Sequence, residues 1–301
     1  MKKGWRTLVV IMIIGLPLLY WNSKASAFNI ELEEDGKKDQ SKAGVTKMEK
    51  GSSSVKVLDR WELPSLLREV SGIEYLGDNR FACIQDELGT IFIYNTASGK
   101  IEKEIPFGGP GDFEGIAIDG NTAYAVQSDG KIYEVQDYQG AKPIVKQYAT
   151  SLTAKHNVEG LTYDKNDNRL LLAIKGEEPN TRAYKGVYAF DIKSKQLAVD
   201  PVVKINLADP IFGNLKEKKR KSTFQPSEIE IHPVTNDIYI LQGTDPKLLV
   251  MDAKGNKKNL YTMERAAFPQ AEGLAFTSNG ELFISNEGKS GVATIVRVVV
   301  E

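Results

Sequence analysis

Short apolar runs broken by turn residues fill this chain from Val55 onward, and one run keeps returning. It reads SGIEYL at 71–76, EGIAID at 114–119, EGLTYD at 159–164, SEIEIH at 227–232 and EGLAFT at 272–277. Each copy is followed by Gly, Asp, Asn or Pro and then by another apolar run, the pattern of antiparallel strands joined by tight turns. The copies return about every 40 to 50 residues with one longer gap, the spacing of β-propeller blades. In the second unit GIAI, AYAVQ, KIYEVQ and PIVKQYA make four strands, and in the fourth EIEI, IYILQ, KLLVMD and NLYTM do the same.

The last unit supplies only GLAF, ELFIS and ATIVRVVV before the chain stops at Glu301. A ring ending there would expose a long apolar edge. The segment VKVLDRWE at 55–62 precedes the first copy and matches no inner strand, so it is expected to pair beside the carboxy-terminal strand and close the ring. The fold class is therefore all-β: a five-bladed propeller over residues 55–301, closed by its N-terminal strand and preceded by a signal or anchor segment. The long gap marks a third blade with two insertions, EEPNTRAYKG at 177–186 and the stretch from Leu207 to Phe224 with KEKKRK. The basic run reads as a solvated loop.

Aligned on its first position, the repeated phrase begins with Ser71, Glu114, Glu159, Ser227 and Glu272. The first strand of each blade lines the central channel, so Glu114, Glu159 and Glu272 are expected at one level. The second strand runs back antiparallel and returns Asp86 and Glu87, Gln127 to Asp129, Lys175, Gln242, and Asn286 and Glu287 to the same rim, where Asp86 and Glu287 join the three glutamates as candidate metal ligands. Close carboxylates repel by about 4 kcal/mol per pair at an effective dielectric near 20, which calls for protonation or a cation. A ring of oxygen donors suits Ca²⁺, and with only two histidines a histidine-rich zinc site is excluded. Glu74 and Glu230 lie three places after the two serines and are expected deeper in the channel, as a second pair of ligands or as hydrogen-bond partners of channel water. The competing structural role for these carboxylates is to accept backbone N–H groups of the next blade and staple the ring, and Lys175 could neutralise one of them without metal.

Composition narrows the partners. With 39 basic and 40 acidic residues the net charge is −1, which gives no electrostatic footprint for nucleic acid. Residues 1–27 read as an export signal: Lys2, Lys3 and Arg6, an apolar run at 8–21, and the small-residue exit Ala25-Ser26-Ala27. The run is shorter than the ~20 residues of a membrane span, so a cleaved signal is the first reading and an uncleaved membrane tether through 8–21 the alternative. Residues 28–54 are too polar to bury a core and read as a disordered tether. The protein is thus expected outside the cytoplasm, periplasmic or otherwise extracytoplasmic. The single cysteine, Cys83, forms no intramolecular disulfide and reads as a buried thiol.

These residues resemble the SdiA-regulated family of bacterial exported or membrane-tethered proteins. The resemblance runs from about Val55 to Glu301 and is carried by the order Ser, Glu, Glu, Ser, Glu and by NVEGLTYD at 157–164 and QAEGLAF at 270–276. It implies a five-bladed propeller holding a calcium ion, with no established catalytic activity. The short phrase is also similar to esterase-like phytases and to NHL-type propellers, but five units and the two serine-bearing blades favour the first.

Two functions stay open. One is a calcium-binding propeller acting as a binding or scaffolding module, with an unknown ligand or protein at the channel face. The other is a calcium-dependent esterase or phosphoesterase in which a channel-mouth glutamate activates water and Lys175, Arg182 and Lys185 receive a phosphate. No nucleophile elbow, Walker loop or HExxH is present. DKNDN at 164–168 begins like an EF-hand loop, but it lacks Gly at the sixth place and reads as a strand turn.

Overall fold

The computed structural model describes residues 54–178, 181–213, 224–289 and 291–301. The signal or anchor segment, the tether up to residue 53 and the basic run at 216–221 lie outside them. Among the described residues no helix is long and apolar enough to cross a membrane.

The strands form five antiparallel sheets, one per repeat. Blade 1 comprises Val70–Gly77, Arg80–Gln85, Leu88–Asn95 and Lys100–Pro106. Blade 2 comprises Phe113–Asp119, Thr122–Gln127, Ile132–Gln136 and Ile144–Tyr148. Blade 4 is built from Glu228–Ile231, Ile238–Gln242, Lys247–Met251 and Lys257–Thr262. In each of these blades the first strand is innermost and the last is the most exposed, because only the inner strands have another blade on either side.

Blade 5 takes three strands from the carboxy terminus, Ala271–Phe276, Leu282–Asn286 and Thr294–Val300, and its fourth from Val55–Glu62. That segment pairs antiparallel with the last strand, from Val55 opposite Val300 to Glu62 opposite Thr294. The expected closure is therefore the one observed. It covers the edge with a strand whose outward positions, Lys56, Leu58, Arg60 and Glu62, are polar at all but Leu58.

Blade 3 departs from the pattern. After Val158–Asp164, Arg169–Ile174 and Tyr184–Asp191, the outer strand is split into Gln196–Leu197 and Val203–Asn206, both paired with the third strand. The turn at 164–168 is a strand turn, as expected: Asn168 takes a positive φ of 50° and Arg169 pairs with Asp164 at 3.0 Å.

The apolar core consists of five clusters, and each is shared by two neighbouring blades. Between blades 5 and 1, Phe81, Tyr75 and Phe283 pack with ring centroids 5.1 to 5.8 Å apart. Cys83 is fully buried in the same cluster, and that burial pushes its thiol up. Stability thus resides between blades more than within them, which makes ring closure a requirement for folding.

Candidate functional site

Two local devices at the start of the inner strand in blades 1, 2, 3 and 5 build the channel mouth. The first is a bulge. Val70 pairs with Gln85 but Gly72 with Ile84, Phe113 with Gln127 but Gly115 with Val126, and Val158 with Ile174 but Gly160 with Ala173. The residues left over are Ser71, Glu114 and Glu159. In blade 5 the ladder breaks between Ala271 and Leu274, across Glu272 and Gly273. An extra residue of this kind re-aims its side chain out of the regular alternation.

The second device is the glycine that follows. A Cβ at Gly115 would stand 2.8 Å from the backbone nitrogen of Leu161, and one at Gly160 would stand 2.6 Å from that of Ile229. Neither contact is tolerable, so glycine lets neighbouring inner strands close around the axis.

The two serines and the three glutamates then divide the work. Ser71 donates to the carbonyl of Phe113 at 2.7 Å and Ser227 to that of Ala271 at 3.1 Å, each tying its blade to the next. The glutamates are not staples. Glu159 accepts from Asn157 at 2.5 Å and from Lys175 at 3.0 Å, and Glu272 accepts from Gln270.

Glu114, Glu159 and Glu272 open instead onto one cavity of about 230 Å³, together with Glu69, Asp86 and Glu287. Against these six carboxylates stand two ammonium groups, Lys175 and Lys289. Five of the seven residues expected as ligands thus meet at one end of the channel. Gln242, on the same rim by register, is turned away, its amide donating to the carbonyls of Thr244 and Asp245.

The crowding is visible in the acidities. Burial, then repulsion from Glu159, Asp112 and Glu272, pushes Glu114 up to about 9, with Lys175 acting the other way. Burial and Glu159 push Glu272 up to about 7, and burial and Glu69 push Asp86 up to about 6. Burial also raises Glu159, although Lys175 opposes it. Burial alone would lower Lys175, but Glu159, Glu272 and Glu114 hold it above the ordinary lysine value.

The donor set fits a hard cation in kind. It is made of carboxylate oxygens, and Asp86 Oδ1 is buried without a hydrogen-bond partner. Among the described residues no three Asp, Glu, His or Cys side chains form a ready-made metal cage.

Glu74 and Glu230 lie elsewhere. They line a cavity of about 400 Å³ at the far ends of the inner strands, with Asp119 and Thr162. Between the two ends sits Glu228, which the repeat alignment passes over although it stands where the other blades have Gly72, Gly115, Gly160 and Gly273. That break in the glycine column was the available signal. Its carboxyl accepts from the backbone of Leu161 in blade 3 and of Ile229, both at 2.9 Å, and so performs the stapling considered for the others. Burial holds Glu228 and Glu74 well above the usual range, and Glu230, which accepts from Thr162 at 2.9 Å, is pushed by burial up to about 7.

The three bases expected to receive a phosphate are not assembled. Lys175 is at the mouth, Arg182 is exposed and pairs with Glu177 at 3.0 Å, and Lys185 donates to the carbonyls of Lys175 and Gly176.

A ring of five blades with one carboxylate-rich channel mouth defines the class: a small closed β-propeller with an acidic axial site. Within it, the chain belongs to the SdiA-regulated family, which it matches over residues 53–290. Among solved structures it is similar to a glutaminyl cyclase from Myxococcus xanthus, with 16% identity, a TM-score of 0.59, and 83% of this chain and 97% of that chain covered. It is also similar to the PQQ-bound aldose sugar dehydrogenase of Streptomyces coelicolor, at 14% identity, TM-score 0.48, and coverage of 83% and 98%. At such identities the likeness is one of fold. No curated protein matches the sequence.

Proposed function

We propose that this protein is an exported propeller that binds Ca²⁺ at the acidic channel mouth and presents that rim as a binding or scaffolding surface. The observation that carries the reading is the cavity that gathers Asp86, Glu114, Glu159 and Glu272, with Lys175 the nearest counter-charge. These four residues would hold the ion, with Glu287 beside them. When bound, Ca²⁺ supplies the positive charge that lets buried carboxylates ionise together.

The residues around the ion do the remaining work. Ser71 and Ser227 fix the backbone beside Glu114 and Glu272, and Asn157 and Gln270 orient Glu159 and Glu272 by hydrogen bonds. Lys175 offsets part of the charge when no ion is present. Export rests on the amino-terminal pattern of basic, apolar and small residues at 1–27.

The test is thermal unfolding of the full chain in chelator and in Ca²⁺. A ligand at a hundred times its Kd adds about 2.7 kcal/mol to the native state, which for a domain of this size is a rise of about 5–10 °C. The rise should be selective for Ca²⁺ over Mg²⁺ and should be lost in Glu114→Gln. Equal melting in millimolar Ca²⁺ and in chelator would remove the ion from the account.

A further inference from the structure

The cavity at the far end of the channel, of about 400 Å³, falls within the range of about 300–1,000 Å³ typical of small-molecule sites. Glu230 from blade 4 stands in its wall, 9% exposed. Its Oε1 accepts from the backbone of Ile231 at 2.8 Å and from Thr162 at 2.9 Å, whereas no donor among the described residues reaches its Oε2. That oxygen is not sealed away, because the inaccessible unpaired oxygens of the described residues are those of Asp86, Glu178 and Asn286. Glu74 from blade 1 lines the same cavity and likewise has no sealed, unpaired oxygen. Burial, then the charge of Glu230, holds Glu74 well above the usual range, with the backbone of Ile118 acting the other way, so the two carboxyls stand within each other's field.

The charges do not close within the wall. Asp164 is taken by Arg169 at 3.0 Å, but Glu74, Glu230 and Asp119 have no salt bridge among the described residues, and the base at the rim, Lys165, is exposed on a turn. Gly120 and Asn166 beside it are exposed as well, so the cavity opens to solvent. Between the acids the wall is apolar, built from Ile118, Ile231, Pro233 and the ring of Tyr163. A bare Ca²⁺ takes about six to eight oxygens, more than two partly engaged carboxyls and Asp119 offer. A guanidinium pairs with both oxygens of one carboxylate, and Glu230 has one left to give. The donors of an ammonium suit single oxygens on separate groups.

We propose that this cavity binds a small primary alkylamine, whose ammonium donates to Glu230 Oε2 and to Glu74 and whose stem lies along Ile118, Ile231 and Pro233. With the cavity empty, burial holds both carboxyls raised, and a proton stands in for the cation. The proposal is independent of the calcium reading, because none of these residues lines the channel mouth.

The experiment is isothermal titration calorimetry of the full chain with n-butylamine and putrescine. The controls are 1-butanol as the neutral stem, tetramethylammonium as a cation without N–H groups, and Mg²⁺. At least one amine should bind saturably, and 1-butanol and tetramethylammonium should not. Glu230→Gln can keep the bonds from Thr162 and Ile231 but replaces the free oxygen by a donor, so it should weaken the amine by about tenfold or more. Glu74→Gln, on another blade, should do the same. Gln resembles the protonated carboxyl of the empty site, so both variants should fold, with a sharp thermal transition as the check. Silence from both amines overturns the proposal. So does amine binding unchanged in both variants, and so does Glu230-dependent binding of Mg²⁺ alone.

Discussion

Replacing Glu114 by Gln should stabilise the calcium-free protein, and increasingly so as the pH rises. Burial and the neighbouring carboxylates push Glu114 up to about 9, against an ordinary value of 4.5. Between those values the folded protein keeps a proton that the unfolded chain has released, so folding stability is whole below the lower value and is lost as the pH climbs. At pH 7.5 the three intervening pH units, at about 1.4 kcal/mol each, set a ceiling of about 4 kcal/mol. Glu114 shares its titration with Glu159, which lowers the expected gain to about 2 kcal/mol. Gln keeps the shape and cannot ionise. Thermal unfolding by circular dichroism in chelator should therefore show Glu114→Gln melting about 4–8 °C above wild type at pH 7.5, with the curves converging toward pH 4.5. In Ca²⁺ the order should reverse, because the variant has lost a ligand. A variant no more stable than wild type at pH 7.5, or a gap that does not narrow on acidification, would refute the account of a crowded, partly protonated mouth.

Deleting Val55–Leu63 should abolish cooperative unfolding, since it strips the outer strand of blade 5; a deletion product with a sharp wild-type transition would contradict closure. Gly160→Ala puts a methyl 2.6 Å from the backbone of Ile229 and should cost about 1–3 kcal/mol or more, read as a lower urea midpoint. Lys175→Met removes the ammonium 3.0 Å from Glu159 and should enlarge the calcium-induced rise in Tm, whereas a smaller rise would mean that Lys175 does not compete for the same carboxylates. Ser71→Ala should cost about 1 kcal/mol for the lost bond to Phe113 and reduce calcium affinity by loosening the neighbouring Glu114; unchanged affinity would limit the serine to stability.

The blades were legible because each strand of a propeller has a local signature, an apolar run ended by a turn residue. Val55–Glu62 could be placed from an accounting argument: one blade lacked a strand and one strand lacked a blade. The convergence of Glu114, Glu159 and Glu272 followed from equal position in equivalent units. What the chain does not display is how far along the axis a side chain reaches. Glu74 and Glu230 were expected below the mouth as a second pair of ligands, and they line the opposite cavity with Asp119 and Thr162. The bulges have no signature in either strand alone, because they depend on pairing across two strands. Glu228 shows in the sequence only at the second position of the phrase, as the one break in a column of glycines. The split outer strand of blade 3 follows from Pro201, which supplies no N–H to the ladder, in a segment with few buried positions.

One channel thus handles buried carboxyls in two ways. Glu228 and Glu230 are each anchored by two hydrogen bonds from backbone amides or Thr162, without a salt bridge, and burial keeps both raised. A proton and fixed dipoles suffice there, and the carboxyls serve as struts. At the mouth the fixed donors have been spent differently. The hydroxyls of Ser71 and Ser227 go to backbone carbonyls beside Glu114 and Glu272, holding those glutamates in position while satisfying none of their oxygens. A structure that needed only a closed ring could have placed serine at all five positions. Three carboxyls are held there instead, with Lys175, 3.0 Å from Glu159, as the ammonium nearest to them, and that imbalance is the feature on which the proposed cation site rests.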